Sequence, residues 1–388
     1  MVSPILGENN FHLEQTGTVM NNPFHYGRVV KGDAFCPRPI LQKRLEGYIR
    51  AAQNVSIQGE RRMGKTSLAL AASRGVKGCR VLHADLLGIR TAGDFCKRVV
   101  AAASRLDAGD SFFGKTIKAI SGLRPTFKID AMTGEPVVSI DAKAADPATS
   151  IDAVFDMLDG YSREMKLCIV LDEFQDIMDM EESESLVAQI RGRIQMMDKP
   201  CFLFLGSVRN RMYELFTSPG SPFFKSALLF EVGPMPDGEF TAFLRLKFEN
   251  GRREITDDAL DAVLSCAERT PGDVQQLCHA LWETTDRGSR IGRDSISEAL
   301  RFIFEQEGAF YVRQVKLLTA FQERVLAAVA EAGIVGTLTS AFMEAVGSAS
   351  RTSVKKALAR LNHLEILFLR DGKFHFVNPF FRRWMMAR

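Results

Sequence analysis

Five short apolar runs, each closed by glycine or polar residues, punctuate the first 235 residues and alternate with stretches of helical period. The runs at 54–57, 80–85, 168–171, 201–205 and 227–232 are too short for helices. They are rich in Val, Ile, Leu and Phe, as strands buried on both faces are. Before the first, Leu41, Leu45, Tyr48 and Ile49 share one helical face; further helices are expected at 94–103 and 151–165. Leu186, Val187, Ile190, Ile194 and Met197 line the inner side of another, over 183–197. Strands alternating with helices predict a parallel five-stranded sheet covered on both faces. Residues 105–150 break this rhythm: 126–130 and 137–141, around Thr133-Gly134, predict an inserted hairpin at about 126–141. Residues 1–35 show little periodicity, and we expect a flexible arm over 1–23 with order beginning near Phe24.

The pattern changes at Pro234-Met235-Pro236. Helical period then dominates, with helices expected at 240–248, 257–267, 273–285 and 293–307, and Thr256 and Pro271-Gly272 as boundaries. A last pattern begins with Leu318, Phe321, Val325 and Val329 on one helical face. A short helix over 340–346 follows, then a helix begun by Ser348 or Ser350 with Val354, Leu358 and Leu361 inward. Strands at 366–370 and 373–377 flank Asp371-Gly372, a dipeptide suited to a tight hairpin turn. Three helices and a hairpin spell a winged helix-turn-helix. The expected units are an α/β domain over 24–235, a helical lid over 236–315 and a winged helix over 316–388.

Composition narrows the class more than it names a partner. The 388 residues are 46% hydrophobic and 25% charged, as in ordinary globular proteins, and no apolar run is long enough to span a bilayer. A net charge of +3 is too small to imply a polyanionic partner by itself. Seven dispersed cysteines without a C-x-x-C pair point to reduced core thiols and a cytoplasmic location, and the six histidines show no metal-ligand spacing. A secretory leader is not expected either.

The chemistry lies at the first strand. Gly59, Gly64, Lys65 and Thr66 fit G-x-x-x-x-G-K-[ST], between an expected strand and an expected helix. Glycines let the backbone N–H groups of such a loop converge on phosphates, and the following helix adds its positive end. Lys65 would reach the β- and γ-phosphates, and the Thr66 hydroxyl would ligate Mg²⁺; Arg62 is counted with the expected nucleotide-binding set. At the end of the third apolar run, Asp172 would hold the Mg²⁺ shell, while Glu173 could act as general base toward water. Ser207, after the fourth run, could bond the γ-phosphate or the attacking water, or serve as a turn residue. Arg209, Arg211 and Lys225 are candidates for a cation facing a neighbouring subunit's nucleotide. In the third helix of the last unit, Arg351, Lys355, Lys356 and Arg360 lie off the apolar face; there they could meet DNA phosphates, with Lys373 of the wing adding a contact, or form a solvated or protein-binding face.

Assembled, these residues resemble the archaeal ATPase family of AAA-type P-loop ATPases, which stand near the STAND signalling ATPases and, more distantly, origin-recognition initiators. The resemblance runs from about Phe24 to the end. It rests on Phe35-Cys36-Pro37-Arg38, similar to an F-x-G-R entry motif, and on GERRMGKTSL, CIVLDEFQD and FLFLGS, followed by the helical lid and a winged helix ending NPFFRRW. It implies ATP as the nucleotide, Mg²⁺ as the metal, Ser67 as a further nucleotide-binding residue beside Thr66, Ser207 as a polar sensor and slow, switch-like hydrolysis. Two departures stand out: Pro37 replaces the usual glycine, and TPGDVQQL places Asp273 near where many AAA+ proteins carry a sensor arginine. The expected function is an ATP-binding, ATP-hydrolysing switch whose nucleotide state controls a DNA or protein contact, self-association included. The alternatives are a DNA-binding initiator, regulator or transposition helper with structural nucleotide, and a signalling or defence scaffold.

Overall fold

A computed structural model describes residues 21–106, 125–129, 136–140, 147–181, 183–207, 212–336, 338–347, 350–370 and 372–388. Residues 1–20 of the arm expected over 1–23, Thr133-Gly134, Arg209, Arg211, Ser348 and Asp371 lie outside these residues, whereas Asn22 is held, its amide donating to the His279 carbonyl at 3.2 Å and to Glu283 Oε1 at 2.7 Å.

Helix α1 (Pro39–Arg50) leads into β1 (Val55–Gly59), α2 (Lys65–Gly75), β2 (Cys79–Asp85) and α3 (Ala92–Ala103). The strands β3 (Pro125–Ile129) and β4 (Pro136–Ile140) pair antiparallel as the inserted hairpin. After them come α4 (Pro147–Glu164), β5 (Lys166–Asp172), a 3-10 turn over Phe174–Asp179, α5 (Ser183–Gln195), β6 (Cys201–Ser207), α6 (Met212–Thr217) and β7 (Leu228–Glu231). Five strands form one parallel sheet in the order β2-β5-β6-β1-β7.

Alternation along the strands divides the core in two, because successive side chains leave a strand on opposite faces. Leu167, Ile169 and Leu171 of β5, with Phe202 and Phe204 of β6, join the α3 and α4 side. Cys168 and Val170, with Cys201, Leu203 and Leu205, join Leu45 and Ile49 of α1 and Leu68 of α2. With both faces covered, the ends of β1, β5 and β6 are left to build a site.

The lid consists of α7 (Asp237–Asn250), α8 (Asp257–Cys266), α9 (Pro271–Thr284) and α10 (Ser295–Lys316), with a small parallel ladder between β8 (Glu254–Ile255) and β9 (Arg290–Ile291). The winged helix comprises α11 (Ala320–Ala332), α12 (Ser340–Val346), α13 (Arg351–His363), the antiparallel pair β10 (Leu367–Arg370) and β11 (Lys373–Phe376), and α14 (Pro379–Met386). Ser350 caps α13 through the Ser353 N–H at 3.2 Å.

Beyond α6 and the β8–β9 ladder, which the sequence pattern does not predict, two features of the shared core exceed the sequence expectation. Helix α10 runs nine residues beyond 307, because Tyr311 and Val315 are buried in the core that lid and winged helix share. The chain also ends in α14, whose N-terminus Asn378 caps and whose Phe380 and Phe381 are buried; Tyr311 stacks on Phe381 at 5.0 Å. Phe24 belongs to this same core, 4.6 Å from the ring of Phe248. No helix among the described residues is long and apolar enough to cross a membrane.

Candidate nucleotide site

The site follows from strand order. Gly59 at the end of β1 is in register with Ser207 at the end of β6, and Asp172 ends β5 on the far side of β6. The loop leaving β1 turns into α2 with Gly64 left-handed at φ 80°, a conformation that favours glycine. Gly59 answers to space instead. A Cβ there would lie 2.4 Å from the Val232 carbonyl oxygen, backbone against backbone. Gly59→Ala is therefore expected to lower unfolding free energy by about 1–3 kcal/mol, read as an earlier urea midpoint; an unchanged midpoint would refute the close packing.

Lys65, only 7% exposed, lies within the curl of this loop, its Nζ donating to the carbonyls of Gly59 and Glu60, both at 2.9 Å. The Thr66 hydroxyl donates to Asp172 Oδ2 at 2.6 Å, and the Glu173 N–H donates to Asp172 Oδ1 at 3.1 Å. His83 Nε2, from β2, lies 3.6 Å from Asp172 Oδ2. Burial works against the charge on Asp172, but His83, Thr66 and the Glu173 N–H together hold its carboxyl below the ordinary range. An ionised carboxylate beside a hydroxyl is a pair of hard oxygen donors, the set that suits Mg²⁺.

Glu173 sits next to this pair in left-handed backbone, φ 49°, a strained setting for a side chain of its size. Burial raises its carboxyl above the ordinary range; the Gln175 amide, donating to Oε2 at 2.7 Å, limits the rise, and the Asp172 charge adds to it. A carboxyl so placed is a better proton acceptor than an ordinary one.

A cavity of about 350 Å³ opens over these groups. Its floor is Gly64 to Ser67 with Asp172 and Glu173; its walls come from residues 25–30, from Phe35, Met235 and Phe240, and from the start of α9. Ser67 accepts the Val30 N–H at 3.1 Å, fixing the wall to α2. Arg38, 5% exposed, donates to the carbonyls of Gly233 and Met63 at 2.7 and 3.1 Å and so ties the entry segment to the phosphate loop.

The remaining expected residues distribute unevenly. Arg62 borders the cavity, but its guanidinium reaches the lid, pairing with Asp273 and donating to Gln276 Oε1 at 2.8 Å. The backbone of Ser207 ends β6 beside Gly59, while its side chain lies outside the described set. Lys225 is exposed, its Nζ 5.1 Å from the Phe224 ring centre. Arg351, Lys355, Lys356 and Arg360 are all exposed on α13, opposite buried Val354, Leu358 and Leu361.

Sequence reasoning missed His83, Gln175 and Gln275. His83 carries no spacing signal, since its partner lies on the adjacent strand, where Asp85 and Asp172 are in register. Gln275, 7% exposed, lines the cavity from α9, a placement that only the docking of the lid determines. Two further ion pairs join the loop to the winged helix: Arg61 with Glu365 at 2.9 Å, and Glu60 with Arg370 at 3.0 Å.

A family described as a probable winged helix domain matches residues 309–387. Curated protein sequences give no match. Among solved structures, a Walker-type ATPase of Pyrococcus abyssi aligns with 91% of this chain and 97% of its own, at 15% identity and TM-score 0.63. The ORC2 protein of Aeropyrum pernix, in ADPNP-ADP complexes, aligns over 91% and 97% at 16% identity and TM-score 0.54. The ORC1 protein of the same organism, in complex with DNA, aligns over 92% and 93% at 13% identity and TM-score 0.51. At these identities the likeness is one of fold: a P-loop α/β unit, a helical region and a terminal winged helix, as the sequence pattern and the family resemblance imply.

Proposed function

We propose that this chain is an ATP-binding, slowly hydrolysing molecular switch whose nucleotide state controls a DNA contact through the lid and winged helix. One observation carries the reading furthest. Three consecutive residues of the phosphate loop, Glu60, Arg61 and Arg62, each form an ion pair outside the α/β unit, two with the winged helix and one with the lid. A ligand in the loop therefore acts where both moving parts are held, and it shifts them by its differential affinity for the two arrangements.

In this reading Lys65 holds the β- and γ-phosphates and the N-terminus of α2 receives their charge. Thr66 and Asp172 would hold Mg²⁺, which supplies charge neutralisation at the phosphates. Glu173 orients water and accepts its proton, the role that its raised carboxyl suits. Free, mostly buried thiols at all seven cysteines fit a reducing cytoplasm.

DNA is favoured as the second ligand by the four exposed cations on α13, and the ORC1 protein of similar fold is bound to DNA. The test is ATP turnover by the full chain at low salt, with and without duplex DNA. DNA is expected to raise the rate several-fold. The triple change Arg351→Ala, Lys355→Ala, Lys356→Ala is expected to remove that stimulation and flatten the salt dependence of DNA affinity by roughly three phosphate contacts. Turnover indifferent to DNA, with no DNA binding at low salt, would turn the reading toward a protein partner on the winged helix.

A further inference from the structure

Arg62 stands between two cavities, the one over the phosphate loop and a second of about 580 Å³ between loop, lid and winged helix. Backbone packing holds the loop against the lid there. The Gly272 N–H donates to the Arg62 carbonyl at 3.0 Å, and a Cβ on Gly272 would come within 2.8 Å of Arg62 Cβ. Asp273, next in sequence and 2% exposed, takes the guanidinium.

Negative charge dominates the surroundings of Asp273. Glu268 faces it from the turn before α9 and Glu307 from α10. Glu307 accepts from the Gln276 amide at 2.6 Å and from the Tyr311 hydroxyl. Arg370, Arg382 and Arg383 face Glu268 from the wing and α14. The cation that meets Asp273 directly is Arg62.

Resting on the reading of the first cavity as a nucleotide site, we propose that Asp273 is a positioning residue that parks Arg62 on the lid until a terminal phosphate competes for it, so that the lid senses the triphosphate through an arginine of the phosphate loop. The competition is between like partners: a carboxylate and a phosphate both accept a planar guanidinium through paired oxygens. The lid then needs no arginine of its own at the start of α9, where Asp273, Gln275 and Gln276 stand instead.

Departure of Arg62 has a second consequence. Burial pushes the Asp273 carboxyl up to about 7 even while Arg62 pulls it down. Without the guanidinium it rises further beside Glu268 and Glu307, and a proton enters from neutral solution. Triphosphate binding is therefore accompanied by proton uptake that diphosphate binding lacks.

Calorimetric titration of the full chain tests this, using Mg-ADP and a non-hydrolysable Mg-ATP analogue in two buffers of different ionisation enthalpy at slightly alkaline pH. Wild type is expected to take up roughly half to one proton with the analogue and close to none with ADP. Asp273→Asn is expected to abolish this uptake and to raise the preference for triphosphate over diphosphate roughly fivefold, since Arg62 is then held on the lid by neutral acceptors alone, Gln276 Oε1 and the Gly272 carbonyl. Arg62→Gln, at a partly exposed position less liable to disturb folding, is expected to lose both uptake and preference. If wild type binds both nucleotides and Asp273→Asn matches it in uptake and preference, the role of Asp273 falls and the nucleotide site stands. If wild type binds neither, the nucleotide site itself falls.

Discussion

Lys65→Ala is expected to weaken Mg-ATP binding at least about 100-fold, which is about 2.7 kcal/mol of binding free energy. The ammonium is already within the loop, on the carbonyls of Gly59 and Glu60, so its charge stands where the phosphates are expected. Alanine removes the charge and leaves two carbonyl oxygens edging an anion site. The check is equilibrium binding of a fluorescent ATP analogue beside a thermal melt. The melting temperature is expected to stay within a few degrees of wild type while affinity collapses. Binding within threefold of wild type would show that phosphate is held elsewhere.

Glu173→Gln is expected to keep ATP binding and to lose turnover by roughly 10²–10⁴-fold, the usual contribution of a positioned acid or base. The amide preserves side-chain length and can still meet the Gln175 amide, but it cannot accept a proton from water. The pH profile separates this role from a structural one. Because burial raises the Glu173 carboxyl, wild-type turnover should decline as pH falls through that raised range, where the base becomes protonated. The residual rate of Glu173→Gln should lack that limb. Turnover near wild type in single-turnover assays would remove Glu173 from the role of base.

The phosphate loop was legible in sequence because its chemistry is local: a glycine motif, a strand before it and a helix after it fix where Lys65 and Thr66 fall. Asp172 and Glu173 were legible for a related reason, as carboxylates closing an apolar run, and the Thr66 to Asp172 hydrogen bond joins the two signals in space. What local pattern could not carry was the destination of long side chains. Arg62 reads as one more loop cation, yet its guanidinium is settled by Gly272 and Asp273, some 210 residues onward. Arg38 likewise stood in an entry motif without a partner; the structure shows it tying Gly233 to Met63.

Helix boundaries erred for tertiary reasons at the C-terminal side and for a local one at α3. The period of α10 weakens after 307, around Gly308 and Phe310, and the helix continues because Tyr311 finds Phe381 and Trp384 in α14. Helix α14 itself is only eight residues long, and aromatic packing with the Asn378 cap sustains it where intrinsic propensity would not. Helix α3 begins two residues earlier than its apolar pattern suggests, at a capping box between Thr91 and Asp94.

The switch is tested most directly by the DNA affinity of Glu173→Gln, which should hold ATP without consuming it, measured by fluorescence anisotropy in saturating Mg-ATP and in saturating Mg-ADP at one salt concentration. The account expects the two dissociation constants to differ by roughly tenfold or more, a coupling of about 1.4 kcal/mol between the phosphate loop and the winged helix. Equal affinities in the two nucleotides, with both nucleotides shown to be bound, would contradict it.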